Sequence, residues 1–230
     1  MLFALLPILL VFLSVKILHR APKVQRHTVS TVKYFVIGDS YSNGEGATID
    51  QSWPSLLTKH LQESGVDIEL IGNPSVTGWT SQQALEGEVP EFEASDATFV
   101  TLLIGVNDWV QGVDADTFHQ YLISILDRMQ KKVPNKNSLL IVTIPDFGVT
   151  PTGAQFSNGR DISAGISSFN QIIKAEAEKR KLPVVDIYPV SQKMRNTPEL
   201  IAQDGLHPSA KEYAIWESFI YPVVQDLLKK

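Results

Sequence analysis

Short apolar runs alternate with amphipathic segments along most of the chain. Of five candidate strands, most are almost continuously apolar, which is typical of parallel strands covered on both faces. The five lie at residues 33–38, 67–72, 97–105, 138–144 and 182–188. Between them, apolar residues recur every three or four positions, which predicts helices. These stripes lie at residues 52–64, 118–129, 162–177 and 213–223.

The alternation of strands and helices predicts an α/β fold. Right-handed crossovers on both faces would give a three-layer α/β/α sandwich around a five-stranded parallel sheet. The expected strand order is the flavodoxin-like 2-1-3-4-5. Because ligands bind outside the carboxyl edge of such a sheet, the loops that follow the strands are the places to look for chemistry.

A different pattern precedes the first strand. Residues 1–15 contain no charged side chain, and the apolar run continues past Lys16 to residue 18. Residues 1–18 therefore predict an N-terminal apolar anchor helix in a membrane, followed by a polar linker at residues 19–32. The alternative is a signal segment, with export after cleavage, although no basic region precedes the run. The side of the membrane stays open.

Composition narrows the function of the remaining part, residues 33–230, which we predict to be one domain. Residues 34–230 hold 15 basic and 25 acidic side chains, a net charge of −10, so nucleic acid is not an expected partner. The chain has no cysteine, which excludes disulfides and thiolate metal sites. Two histidines have helical spacings to acids, but two ligands do not make a site, and no metal is expected. The acidic residues at 86–93 predict an exposed helix face.

Four loops that should meet at the carboxyl edge carry the groups that acyl transfer needs. Ser40 lies in a tight turn after the first strand and can act as the nucleophile. His207 can be its base, and Asp204, three residues earlier, can orient that imidazole. The N–H groups of Ser40 and Gly78 and the amide of Asn107 can stabilise an oxyanion. Each element alone is common in ordinary turns, whereas their joint occurrence predicts an active site.

These blocks resemble those of GDSL-type esterases and lipases of the SGNH hydrolase superfamily. The four residues that name the superfamily correspond to Ser40, Gly78, Asn107 and His207. The resemblance implies a Ser-His-Asp mechanism with Ser40, His207 and Asp204 as catalytic residues. It also implies an oxyanion hole formed by Ser40, Gly78 and Asn107.

The similarity covers roughly residues 33–228, which makes the predicted domain an SGNH hydrolase-type esterase. It is closest to the thioesterase/lysophospholipase/arylesterase branch, through residues 73–83 and the Asp-Gly-Leu-His-Pro run at 204–208. Tyr41 stands where the family name has leucine, a position with no chemical role.

The resemblance implies a serine hydrolase that cleaves small carboxylic esters, or thioesters, through an acyl-enzyme without metal or organic cofactor. One alternative is an acyltransferase to a sugar or lipid alcohol. Another is a non-catalytic module that binds glycans or lipids in the same cleft. The expected partners are an ester substrate and, through the N-terminal segment, a membrane. The sequence leaves the oligomeric state open.

Three aromatic residues are candidates for the substrate pocket. Trp79 directly follows Gly78, Trp109 lies two residues after Asn107, and Phe147 lies on the loop after the fourth strand, which also carries Val149 and Phe156 as candidates for a further apolar wall. If their rings face the cleft, short or compact acyl groups should be preferred. The alternative is that the tryptophans point into the protein and pack the loops.

Overall fold

Five parallel strands form the sheet that the apolar runs predict. The computed structural model describes residues 30–229. The strands are β1 (Val32–Gly38), β2 (Ile68–Gly72), β3 (Phe99–Leu103), β4 (Leu139–Val142) and β5 (Val184–Val185). They pair in the predicted order, β2-β1-β3-β4-β5. β1 begins at Val32, the last residue of the predicted linker, because Val32 pairs with Ile68.

Helices connect the strands and cover the sheet. Within the described residues they are α1 (Ser40–Asn43), α2 (Trp53–Glu63), α3 (Ser81–Glu86), α4 (Glu88–Ala94), α5 (Val106–Gln111), α6 (Ala115–Lys132), α7 (Ile162–Arg180), α8 (Tyr188–Ser191) and α9 (Ala210–Leu228). The four predicted stripes correspond to α2, α6, α7 and α9. α9 includes Pro222 and continues through it.

The helices form two groups. α2 packs against α9, whereas α3, α4, α6 and α7 pack against one another. These two groups supply the outer layers of the sandwich. The central strands are buried on both faces, and Trp53 of α2 and Trp216 of α9 are fully buried.

The predicted anchor lies outside the described residues, as does the linker up to residue 29. Within residues 30–229, no helix combines the length and the apolar character that crossing a membrane requires.

Candidate active site

Ser40 lies where β1 ends and α1 begins. Asp39 caps this short helix, since its Oδ1 accepts the Tyr41 N–H at 3.0 Å. Gly38 is required here by close approach, because a Cβ would lie 2.2 Å from the Ser42 Oγ. The turn therefore places Ser40 at the carboxyl edge of the sheet, where it lines a cleft.

His207 and Asp204 share a tight turn before α9. Asp204 Oδ2 lies 2.6 Å from His207 Nδ1, and Asp204 Oδ1 accepts the backbone N–H groups of Leu206 and His207 at 2.8 and 2.9 Å. Gly205 has a φ of +73°, which favours glycine at this position. Thr152 donates to the Asp204 carbonyl at 2.9 Å, so a second loop holds the turn.

A line of hydrogen bonds connects these residues. His207 Nε2 lies 3.3 Å from Ser40 Oγ, and the edge of the Tyr41 ring packs against the imidazole with 6.1 Å between centroids. Partial burial raises the pKa of Asp204, but the hydrogen bonds from Leu206 and His207 outweigh it and hold that pKa below its ordinary value. Asp204 is therefore a carboxylate beside the imidazole.

The two remaining motif residues lie on neighbouring loops. Asn107, in the first turn of α5, lines the cleft and donates from Nδ2 to the Trp79 carbonyl at 2.9 Å. An amide NH₂ has two hydrogens, so a second one is available to a substrate. Gly78 lies on the loop after β2, exposed and with a φ of +85°. The site thus joins the loops after β1, β2 and β3 to the turn before α9.

The cleft beside Ser40 has a volume of about 60 Å³ and mostly apolar walls. Its lining includes Phe147 and Phe156 of the loop after β4, together with Val106, Val110 and Leu206. Val149 of the same loop packs instead with Met194 and Leu200. Val106 and Leu206 adjoin motif residues in sequence, but apolar neighbours are common in any buried loop. The sequence therefore carries no signal that marks Val106, Val110 or Leu206 as lining residues.

The tryptophan rings lie elsewhere, which corrects the expectation that they wall the cleft. The Trp79 ring packs over Gly87, at the junction of α3 and α4. Trp109 is buried against Gly165 of α7 and packs edge-on against Phe147, with 5.9 Å between centroids. Neither tryptophan is among the residues of the described chain that line the cleft. Their large apolar surfaces stabilise the loops instead.

The acidic residues at 86–93 were expected to form an exposed helix face, but Glu88 is buried. Its Oε2 accepts the Gly38 N–H at 2.7 Å. Burial raises the pKa of Glu88 to about 8 and that of nearby Asp39 to about 8 as well. Each carboxyl has one buried oxygen that finds no hydrogen-bond partner among residues 30–229. Two buried acids therefore lie behind the nucleophile.

The two histidine pairings with metal-like spacing have other contacts. His60 Nδ1 lies 3.0 Å from Glu217 Oε1, and His119 Nε2 lies 3.2 Å from Glu176 Oε2. Within residues 30–229, no group of three potential ligands lies close enough to hold a metal ion.

Comparison with known proteins places this geometry in a family. Residues 36–215 match the sequence model of the GDSL-like lipase/acylhydrolase family. An arylesterase from Vibrio mimicus is 26% identical over 197 residues, which cover 86% of this chain and 88% of the arylesterase. Thioesterase 1/protease 1/lysophospholipase L1 of Escherichia coli K12 is 24% identical over 175 residues, covering 76% of this chain and 74% of that protein.

Solved structures share the fold. The crystal structure of TesA superposes with a TM-score of 0.68 at 22% identity, covering 85% of this chain and 99% of the other. The crystal structure of esterase EstA from Pseudoalteromonas sp. superposes with a TM-score of 0.68 at 20% identity, covering 86% of this chain and 99% of the other. Sequence and fold agree, and we conclude that the chain belongs to the GDSL-like lipase/acylhydrolase family and is a carboxylic ester hydrolase.

Proposed function

We propose that the protein hydrolyses small carboxylic esters, and thioesters, through an acyl-enzyme on Ser40. His207 acts as the general base and Asp204 orients it. The observation that carries this proposal is the line of hydrogen bonds from Asp204 through His207 to Ser40, which ends beside an apolar cleft. A serine hydroxyl is a weak nucleophile and needs an adjacent base to take its proton. The names of the arylesterase and thioesterase relatives support both substrate classes.

The first half-reaction forms the acyl-enzyme. Ser40 Oγ attacks the carbonyl carbon while His207 Nε2 takes the hydroxyl proton, and the carbonyl π electrons move to oxygen. When this tetrahedral oxyanion collapses, the C=O bond re-forms and the bond to the leaving group breaks. The leaving oxygen or sulfur then takes the proton from His207. Asp204 stabilises the transient imidazolium through Nδ1.

Water completes the reaction. His207 takes a proton from the water as its oxygen bonds to the acyl carbon, and a second oxyanion forms. Collapse of this oxyanion breaks the bond to Ser40 Oγ, which takes the proton back from His207. The products are a carboxylic acid and the free enzyme.

Both oxyanions need hydrogen-bond donors that are already in position. We assign this role to the backbone N–H groups of Ser40 and Gly78 and to Asn107 Nδ2. Such donors stabilise the transition state more than the ground state, so they should raise kcat.

The size of the cleft favours short acyl groups. Its volume of about 60 Å³ is small beside the roughly 300–1,000 Å³ that is typical of ligand pockets. The apolar lining, which includes Val110 and Phe156, suits a short acyl chain, whereas a decanoyl chain would extend beyond so small a cleft. Esters of short acids are therefore the proposed substrates.

Replacement of the nucleophile and its base tests the proposal. Ser40→Ala and His207→Ala should each lower kcat for p-nitrophenyl acetate by about 10³ or more, and the double variant hardly further, because the residues act as a unit. Ser124→Ala, on α6, is the matched control and should keep full activity. If folded Ser40→Ala retained near wild-type activity, the proposal would be wrong.

Two further assays on the wild-type protein distinguish hydrolysis from the two alternatives, a non-catalytic binding module and an acyltransferase. A non-catalytic binding module would not react with a fluorophosphonate probe at Ser40. An acyltransferase would divert the acyl group to an added sugar or glycerol, which product analysis detects. We expect labelling of Ser40 and release of free acid, with water as the acceptor.

We also propose that residues 1–18 anchor the enzyme in a membrane. The support is the uncharged apolar run at residues 1–15 and its continuation to residue 18. Cleavage as a signal segment is the alternative outcome.

A further inference from the structure

Gly78 lies on an exposed stretch of loop. Residues 76–78 are all exposed. Apart from its chain neighbours, no atom of the described part of the chain lies within 4 Å of the position that a Cβ of Gly78 would occupy. Glycine has wide conformational freedom, which open surroundings do not restrict. An oxyanion donor, however, must be held within a fraction of an ångström of its working position. Other contacts must therefore fix this loop.

Two side-chain hydrogen bonds hold the loop on either side of the Gly78 N–H. Thr77 Oγ1 donates to Glu45 Oε2 at 2.6 Å, immediately before Gly78. Gln111 Nε2 donates to the Gly78 carbonyl at 3.1 Å, immediately after it. Glu45 lies just beyond the helix that starts with Ser40, and Gln111 is the last residue of α5. The two bonds thus connect the loop to the elements that carry the nucleophile and Asn107.

Glu45 is itself fixed relative to the nucleophile and the base. Its N–H donates to the Ser40 carbonyl at 2.9 Å, and its carbonyl accepts the Tyr213 hydroxyl at 2.8 Å. The next residue, Gly46, packs against the turn of His207, where a Cβ would lie 3.1 Å from the His207 Cβ. A hydrogen bond to the Glu45 side chain therefore fixes the loop relative to Ser40 and His207.

The end of α5 that carries Gln111 is equally well held. The Arg160 guanidinium donates to the carbonyls of Trp109 and Val110 at 2.8 and 3.1 Å. It also stacks on the Trp109 ring, 3.9 Å from the centroid. Gln111 therefore extends from a fixed helix end to an exposed loop.

We propose that Glu45 and Gln111 are positioning residues that hold the Gly78 N–H towards the oxyanion. The proposal rests on the function proposed above, in which Gly78 is an oxyanion donor. Neither residue lines the cleft beside Ser40. Loss of their bonds should therefore weaken stabilisation of the transition state while substrate still binds in the apolar cleft.

Two nearly isosteric variants remove one bond each. Thr77→Val removes the hydroxyl, and Gln111→Glu replaces the donor with a carboxylate that only accepts. Each should lower kcat for p-nitrophenyl acetate by about 3- to 10-fold, and the double variant by about 10- to 100-fold, which does not exceed the loss of about 10²- to 10³-fold expected for a whole oxyanion donor. KM should change by less than about twofold.

Conservative variants provide the rescue. Thr77→Ser keeps the hydroxyl, and Glu45→Gln keeps an oxygen that can accept from it. Both should retain most of the wild-type kcat, whereas Glu45→Ala should behave like Thr77→Val. If the variants acted only by loosening the packing of the loop, the kcat values would not depend in this way on whether the hydrogen bond is kept.

The opposite edge of the sheet supplies matched controls. Thr31 Oγ1 donates to Asp67 at 2.7 Å, and Gln62 Nε2 donates to the Ile68 carbonyl at 2.7 Å, so the same two bond types occur far from Ser40. Thr31→Val and Gln62→Glu should leave kcat unchanged, with thermal unfolding measured for every variant.

The outcomes separate the two proposals. An unchanged kcat in the Thr77→Val/Gln111→Glu double variant, or a change confined to KM, would overturn the positioning role while Ser40→Ala remained inactive. Equal losses in the control variants would also overturn it. Activity in Ser40→Ala would instead overturn the proposed function.

Discussion

Phe156 is the side chain through which acyl size is most directly tested. It lines the cleft from a short 3₁₀ turn, Gly153–Phe156, and its ring packs edge-on against Phe147 with 6.5 Å between centroids. Phe156→Ala should therefore enlarge the cleft without removing a core residue. The ratio of kcat/KM for octanoyl over acetyl esters should rise by about 10- to 200-fold if a few methylenes gain room.

An exposed aromatic residue provides the control for this prediction. Phe219 of α9 is 46% exposed and is not among the residues that line the cleft, so Phe219→Ala should leave the chain-length profile unchanged. A wild-type enzyme that already preferred decanoyl over acetyl esters would contradict the short-acyl assignment.

The carboxylate of Asp204 determines the sign of the pH dependence. Its pKa is lowered, against the effect of partial burial, by hydrogen bonds from Leu206 and His207. Asp204 therefore stays ionised at neutral pH, and activity should rise with pH because a general base must be a neutral imidazole to accept the serine proton. Asp204→Asn keeps the size but removes the charge, and should lower the plateau kcat by up to about 10⁴.

A profile of kcat/KM against pH measures both effects. His119→Gln is a suitable control, because His119 bonds to Glu176 on the outer helices and should not alter the profile. Activity that fell as pH rose through neutrality would exclude a neutral imidazole as the base.

At the scale of elements, α5 connects the parts of the site. Asp108 accepts the N–H and the hydroxyl of Ser81, so the first turn of α5 holds the start of α3. Asn107 and Gln111 hold the loop between β2 and α3, and Arg160 caps the last carbonyls of α5 from the loop after β4. A helix of six residues gains its stability from such contacts, because so short a helix is marginal by itself.

The same scale shows what a sequence can predict. The strands and long helices followed from periodicity because burial repeats along a strand or helix. The four motif loops could be found because their residue types are chemically demanding and the topology brings the loops to one edge. β5 was predicted at residues 182–188, yet only Val184 and Val185 pair, because Tyr188 begins α8.

Single side-chain orientations could not be predicted. Glu88 lies in an acidic segment with the composition of an exposed helix, but it is buried because the Gly38 N–H needs an acceptor. The tryptophans follow motif residues, but the direction of each ring depends on glycines distant in sequence, Gly87 and Gly165, that leave space for it. Periodicity and motif spacing carry no information about such pairs.

For the molecule as a whole, the buried acids should make stability depend on pH. Burial raises the pKa of Glu88 from 4.5 to about 8 and that of Asp39 from 3.8 to about 8. Between the ordinary and the raised values the folded state binds more protons than the unfolded state. The free energy of unfolding should therefore fall as pH rises, from about pH 5 to about pH 8.

Amide substitution isolates this effect. Glu88→Gln keeps an oxygen to accept the Gly38 N–H but cannot ionise, so its melting temperature should fall less steeply with pH than that of the wild type. Glu86→Gln, two residues away and exposed, should leave the slope unchanged. Equal slopes for Glu88→Gln and the wild type would show that Glu88 does not titrate in this range.

The N-terminal segment can be separated from catalysis because of where β1 begins. Val32 lies at the amino edge of the sheet, and the six steps to Gly38 at about 3.3 Å each put that edge roughly 20 Å from the cleft. Truncation should remove residues 1–29 only, because Thr31 bonds to Asp67 and the Val32 N–H donates to the Asp67 carbonyl. The truncated protein should fold and keep kcat/KM for p-nitrophenyl acetate within about twofold of the full chain.

Binding to phosphatidylcholine vesicles then tests the anchor itself. The full chain should float with the vesicles, and the truncated protein should stay in the aqueous fraction, because residues 1–18 supply the uncharged run that partitions into hydrocarbon. Sequencing the amino terminus of the protein from cells distinguishes the alternative, since a cleaved signal segment would leave a chain that begins after residue 18. Loss of folding on truncation would mean instead that the segment packs against the domain, and the linker interpretation of residues 19–29 would be wrong.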